Sequence, residues 1–252
     1  MSRRVLTVVA ALAVAASTFA CSRTTAVTRG SLGHARGATA AADEHGWRVG
    51  CDAFCDLDAR APTLDELCAK ILDRAPPGTV CKAETPLGVG DRSIAIHDAA
   101  RLEMRRADRR WTLLAVSTDL GWSFARELGG VGNGVGDGLT VLGAKPVDVA
   151  GLEPAALAVR VDLSRDGAHS ERLFVCGVRG DGAVACPLAA VVARRASAAS
   201  PFTAGLAIPA TDDGWRVDVE LGPQGFVATR ASGEPPADQA AIVGEHAWAE
   251  AR

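Results

Sequence analysis

Residues 173–188 read LFVCGVRGDGAVACPL, two apolar runs set about a glycine-bearing centre. Gly180-Asp181-Gly182 has the composition of a three-residue hairpin loop, because glycine reaches positive φ without steric cost and aspartate bonds to nearby backbone. With that loop, Arg179 faces Ala183, and counting outward sets Cys176 directly opposite Cys186. Directly opposed residues in an antiparallel pair hold their Cβ atoms about 4.5–5.5 Å apart, near the separation a disulfide accepts. The stretch therefore predicts an antiparallel hairpin closed by a Cys176–Cys186 bond.

The same period-two alternation extends to both sides. In LAVRVDL (157–163), Leu157, Val159, Val161 and Leu163 share a face opposite Ala158, Arg160 and Asp162. In WRVDVEL (215–221), Trp215, Val217, Val219 and Leu221 do the same against Arg216, Asp218 and Glu220. Such patterns belong to half-buried antiparallel strands with one wet face. RLEMRRADRRWTLLAVS (101–117) and VELGPQGFVAT (219–229) read as further hairpins, turning at ADRR and GPQG. One helix interrupts the strands. TLDELCAKILDRAPPG (63–78) opens on a capping box from Thr63 to Glu66. Leu64, Leu67, Cys68, Ile71 and Leu72 then form one apolar stripe, and Pro76-Pro77-Gly78 stops the helix. The predicted fold class is mainly β (α+β), an antiparallel meander forming a sandwich or open barrel with one N-terminal disulfide-linked helix.

Seven cysteines leave one unpaired if the chain is oxidised. If Cys21 is set aside, the other six form an even set suited to three disulfides. Cys51, Cys55, Cys68 and Cys81 then pair among themselves, with three possible connectivities. A Cys51–Cys55 bond would close a cramped loop, which points to nested Cys55–Cys68 and Cys51–Cys81. A zinc site in place of the disulfides fits poorly. Such sites use two-to-four-residue spacings in both halves, whereas twelve residues separate Cys55 from Cys68 and Cys68 from Cys81.

Residues 1–20 read as a signal peptide: Arg3 and Arg4 precede VLTVVAALAVAASTFA, a sixteen-residue apolar core ending in small residues. That core is short of the roughly 20 residues of a bilayer span and has the form of a secretory signal. With Ala20 before Cys21 and Ser22 after it, the segment resembles bacterial lipoprotein precursors, although Thr18 and Phe19 depart from their usual pattern. The resemblance covers about a tenth of the chain. It implies a lipid on Cys21, which becomes the first residue after cleavage, and sorting to the outer membrane. Ordinary cleavage after Ala20 is the alternative. The multiple acyl chains of a lipoprotein cysteine would give a firm anchor where one chain would not.

Residues 21–46 lack any apolar period and are rich in Ala, Thr, Gly and Arg, the composition of a flexible tether. A disulfide-stapled β-rich domain follows over 47–232, and GEPPADQ opens a polar tail over 233–252. Without residues 1–20 the chain carries 25 basic against 30 acidic side chains, so it has no electrostatic footprint for nucleic acid. Arginine outnumbers lysine 24 to 3 and tyrosine is absent. A GC-rich genome accounts for that bias without any functional argument.

Four features invite chemistry. GWSFA around Ser123 matches four positions of the G-x-S-x-G elbow, with Ala125 in place of the last glycine. Asp218 or Asp238, then His246, would complete a Ser, Asp, His order in which His takes the hydroxyl proton and a carboxylate orients it. The elbow needs a helix after the serine, and FARELGG leaves five residues before glycine. GGVGNGVGDG (129–138) has neither the register of a dinucleotide loop nor the G-K-[ST] of a P-loop. It also resembles a single degenerate calcium-binding nonapeptide, a repeat that works only in several copies, and reads as a mobile loop. Arg179-Gly180-Asp181 resembles the integrin-binding tripeptide, and the turn accounts for it. His34 and His45 (tether), His97, His169 (turn) and His246 (tail) form no metal-binding pair. No cofactor or metal is expected. The functional expectation is an exported, lipid-anchored cell-envelope module of the outer membrane or periplasm, otherwise secreted. It would bind or scaffold an unidentified protein or small-molecule ligand. An exported serine hydrolase using Ser123 is the second reading.

Overall fold

A computed structural model describes residues 47–55, 57–89, 94–153, 155–165, 168–195 and 214–248. Segment 1–20, the expected lipidation site Cys21, and the expected tether with His34 and His45 lie outside the described residues.

The hairpin forms in the expected register. β10 (Ala168–Val178) and β11 (Val184–Arg195) run antiparallel. Arg179 N–H donates to Ala183 O and Gly182 N–H donates to Arg179 O, both at 2.8 Å. Gly182 takes φ +78°, the left-handed position such a loop gives to glycine. Gly177 faces Ala185, and beyond them Cys176 and Cys186 are disulfide-bonded with Cα atoms 4.0 Å apart. The register then slips, so that Val175 faces Leu188. The bulge falls beside Pro187, which has no N–H to give a ladder.

β8 (Gly138–Val147), β9 (Ala156–Arg165), β10, β11, β12 (Trp215–Gly222), β13 (Gly225–Ser232) and β14 (Gly244–Ala247) make one seven-stranded antiparallel meander in chain order. A second sheet runs in the order β1 (Arg60–Ala61), β7 (Gly121–Gly132), β6 (Arg109–Thr118), β5 (Ala99–Arg106), β2 (Val80–Glu84). β3 (Leu87–Val89) and β4 (Ile94–Ile96) pair separately. The fold is mainly β, and one sheet curls into a half-barrel.

Helix α1 (Leu64–Leu72) starts at Thr63, whose hydroxyl accepts the Glu66 N–H at 3.3 Å. Its buried stripe of Leu67, Cys68 and Ile71 packs with Leu102, Met104 and Leu113 of the five-stranded sheet. The opposite face of that sheet, through Leu114, Val116 and Leu128, packs with Val159, Val161 and Phe174 of the seven-stranded one. The layers are therefore helix, sheet, sheet. Trp111 through Val116 are buried on both sides, so β6 loses the alternation expected of a half-wet strand. In the seven-stranded sheet β11 is likewise buried on both sides from Pro187 to Ala193, and the alternation survives over Val159–Leu163 of β9. There Glu171 joins Arg160 at 2.8 Å and Arg216 at 3.6 Å, and Asp162 joins His169 at 2.9 Å. His169 thus lies in a strand and not in a turn.

Three expectations are corrected. The N-terminal disulfides are Cys51–Cys55 and Cys68–Cys81, with Cα separations of 5.4 and 5.7 Å, and not the nested pair. The 51–55 loop closes because the Glu127 carboxylate gathers the backbone N–H groups of Asp52, Ala53 and Phe54. The polar tail is structural: α2 (Ala237–Ala240) and β14 follow, with Ile242 and Trp248 buried. Half of the glycine run is strand, Gly129–Gly132 ending β7 and Gly138 opening β8, which leaves 133–137 as the loop between them. Glycine is required at 130, where a Cβ would stand 2.7 Å from the Trp111 ring.

Three cystines mark a chain that matures in an oxidising, exported environment. Among the described residues, no helix is long and apolar enough to cross a membrane.

Candidate functional site

The structure does not assemble the triad. Ser123 sits within β7, facing Val116 on one side and Arg60 on the other, with no helix after it. It is 1% exposed, and its hydroxyl has no hydrogen-bond partner. Phe124 packs on the helix side, so the alternation of the strand turns Ser123 into the space between the sheets. His246 belongs to the other sheet, where its Nε2 is 2.8 Å from Ile242 O and its ring stacks on Phe226 at 4.7 Å. Asp218 pairs with Arg216, and Asp238 lies in the first turn of α2. A nucleophile must lie within hydrogen-bond reach of its base, and this one does not. An unpartnered buried hydroxyl costs stability. Ser123→Ala should therefore leave urea stability unchanged or raise it by about 1 kcal/mol, and a loss above that size would show a hidden partner.

Glu127 is a buried charge that sequence reasoning missed, and half-buried Arg172 lies near it. Glu127 is 2% exposed. Its Oε1 accepts Asp52 N–H at 3.1 Å, and its Oε2 accepts Ala53 and Phe54 N–H, both at 2.9 Å. Asp52 in turn meets Arg109 at 2.5 Å. Arg172 donates to Leu128 O at 3.3 Å. Burial pushes its guanidinium down to about 10, against the pull of the nearby Glu127 charge, with Arg194 and Arg165 adding repulsion. It stays charged at neutral pH. This cluster anchors the 51–55 loop to β7, and its groups are turned onto one another.

An open site lies at the end of the seven-stranded sheet. A cleft of about 250 Å³ is walled by the Val149–Leu152 turn, the Ala185–Pro187 segment and Trp248, with Arg179 at its rim. Each wall is fixed. Leu152 N–H donates to Val149 O at 3.0 Å, closing the turn, and Ala150 N–H reaches Pro223 O at 2.8 Å. Glu153 N–H donates to Val178 O, tying the loop to the hairpin. The indole N–H of Trp248 donates to Gly222 O at 2.9 Å. The Cys176–Cys186 disulfide holds the remaining wall, with Cys186 half-buried on the cleft side.

Apolar walls with one polar group at the rim are the usual make-up of a small-molecule site, and this volume is near the low end for one. The lining residues come from four separate stretches of the chain, and nothing in the sequence marks these as meeting. Arg179 had drawn attention as part of the hairpin tip and Cys186 as half of its disulfide, neither as part of a cleft. Among the described residues, no group of three His, Cys, Asp or Glu could hold a metal ion. Comparison with protein families, with curated proteins and with solved structures finds no match.

Proposed function

We propose that the protein is an exported cell-envelope module, anchored through lipid on Cys21, that works by binding a ligand in the cleft between the Val149–Leu152 turn and Trp248. The observation that carries the binding reading is a preformed apolar cleft whose walls are tied by hydrogen bonds and a disulfide. A site held open in this way does not have to be ordered when its ligand arrives, which saves affinity. The three cystines support export, and the lipoprotein-like Ala20-Cys21-Ser22 supports the anchor.

Two measurements test the two halves. Non-reducing mass mapping of the mature chain should find an acylated residue 21 as the first residue, together with all three cystines. An unmodified Cys21 would confine the protein to a secreted form. For the cleft, Ala185→Leu fills the space from a half-buried wall position. It should preserve the fold and abolish ligand binding; binding that persists in this variant would place the site elsewhere.

A further inference from the structure

We infer that the cleft takes a small organic anion, with its carboxylate at Arg179 and a short apolar body against Leu152, Pro187 and Trp248. This rests on the reading of the cleft as the binding site. The first observation is the state of Arg179. Other guanidinium groups have oxygen partners: Arg109 on Asp52, Arg160 and Arg216 on Glu171, Arg101 on Glu84. Arg179 is exposed, and its side chain has no partner among the described residues. Its backbone is nevertheless held on both sides by the hairpin bonds to Ala183 and Gly182. Asp181, two residues on, forms no ion pair with it: its Oδ1 accepts the Ala183 N–H at 2.9 Å.

The second observation is what surrounds that charge. A bare inorganic anion would meet one guanidinium and otherwise apolar walls, which cannot replace its hydration. A neutral hydrocarbon would use the walls and leave the cation idle. A cationic ligand would be repelled. A carboxylate with a hydrocarbon body satisfies both parts, since a carboxylate accepts a guanidinium fork in charge-assisted bonds. The cleft, about 250 Å³, limits the body to a chain of roughly six carbons, on the scale of about 30 Å³ for each water-sized group.

The test is a titration of the mature chain with hexanoate, hexanamide and inorganic phosphate, read at the Trp248 indole N–H resonance. Hexanoate should shift that resonance with a dissociation constant of about 1 mM, and hexanamide should bind at least about tenfold more weakly. Phosphate should leave it unmoved. Arg179→Gln should bring the acid down to the affinity of the amide, and Ala185→Leu should abolish both. Equal binding of acid and amide to the wild-type chain would overturn the anion while leaving the cleft a binding site. Phosphate shifting the resonance as hexanoate does would overturn the apolar body. No shift with any of the three would overturn this inference and the binding reading together.

Discussion

A chain ending at Ser232 is expected not to fold. The residues beyond it look dispensable in composition, yet they close one end of the larger sheet. Ile242 is fully buried and Trp248 is 5% exposed. β14 pairs with β13 from Gly225–Ala247 to Ala228–Gly244, so its loss strips the ladder from that edge. Phe226 would lose its stack with His246 at 4.7 Å and its contact with Trp248 at 5.6 Å. Trp47, packed on Phe226 and His246, would be uncovered as well. Removing a buried Ile costs about 2–5 kcal/mol and a buried Trp about 3–5. The sum approaches the roughly 5–15 kcal/mol of a whole domain. The truncated chain should lack a cooperative urea transition and expose hydrophobic surface to dye, while a chain ending at Trp248 should keep the full-length midpoint. A cooperative transition near that midpoint in the shorter chain would show that residues 233–248 are a tail after all.

What the sequence made legible was local. The Cys176–Cys186 register followed from a three-residue loop and ten positions of counting, and Gly182 carries the positive φ that the loop requires. The Thr63 cap and the Leu67–Cys68–Ile71 stripe were readable for the same reason, since a helix start is written in four residues. What escaped depends on partners far along the chain. Cys51–Cys55 looked cramped because nothing nearby announces that Glu127, some 75 residues away, takes the N–H groups between them. β14 is four residues long, too short to show a period, and its apolar neighbours, Ile242 in AAIVG and Trp248 in HAWAE, make no strand or helix pattern between them. The glycine run was misjudged because composition reports the flexibility of glycine and not the lack of a Cβ beneath Trp111. The cleft had no signature at all, since its walls meet only in three dimensions.

Glu127→Ala is expected to cost about 3–5 kcal/mol, the size typical of breaking a buried charge cluster by removing one member. Three backbone N–H groups, of Asp52, Ala53 and Phe54, would lose their acceptor. Each orphaned donor costs about 1–3 kcal/mol where water cannot reach it, and Phe54 is buried at 2% exposure. The Cys51–Cys55 disulfide keeps the loop short, which limits how far these groups can swing out to solvent. Glu127→Gln retains one oxygen but points an amide N–H₂ at donors, so it should recover only part of the loss. Arg172 gives the cycle its control. It is half-buried and draws on the Glu127 charge more than on Asp52, so the alanine variant removes its main attractive charge. Arg172→Met in the Glu127→Ala background should therefore cost less than it does in the wild-type chain, with a coupling of about 0.5–3 kcal/mol. Urea unfolding of the four proteins with disulfides intact measures both quantities. If Glu127→Ala unfolds within about 1 kcal/mol of wild type, the carboxylate is not what holds the 51–55 loop to β7, and the loop must be carried by Phe54 against Trp111 instead.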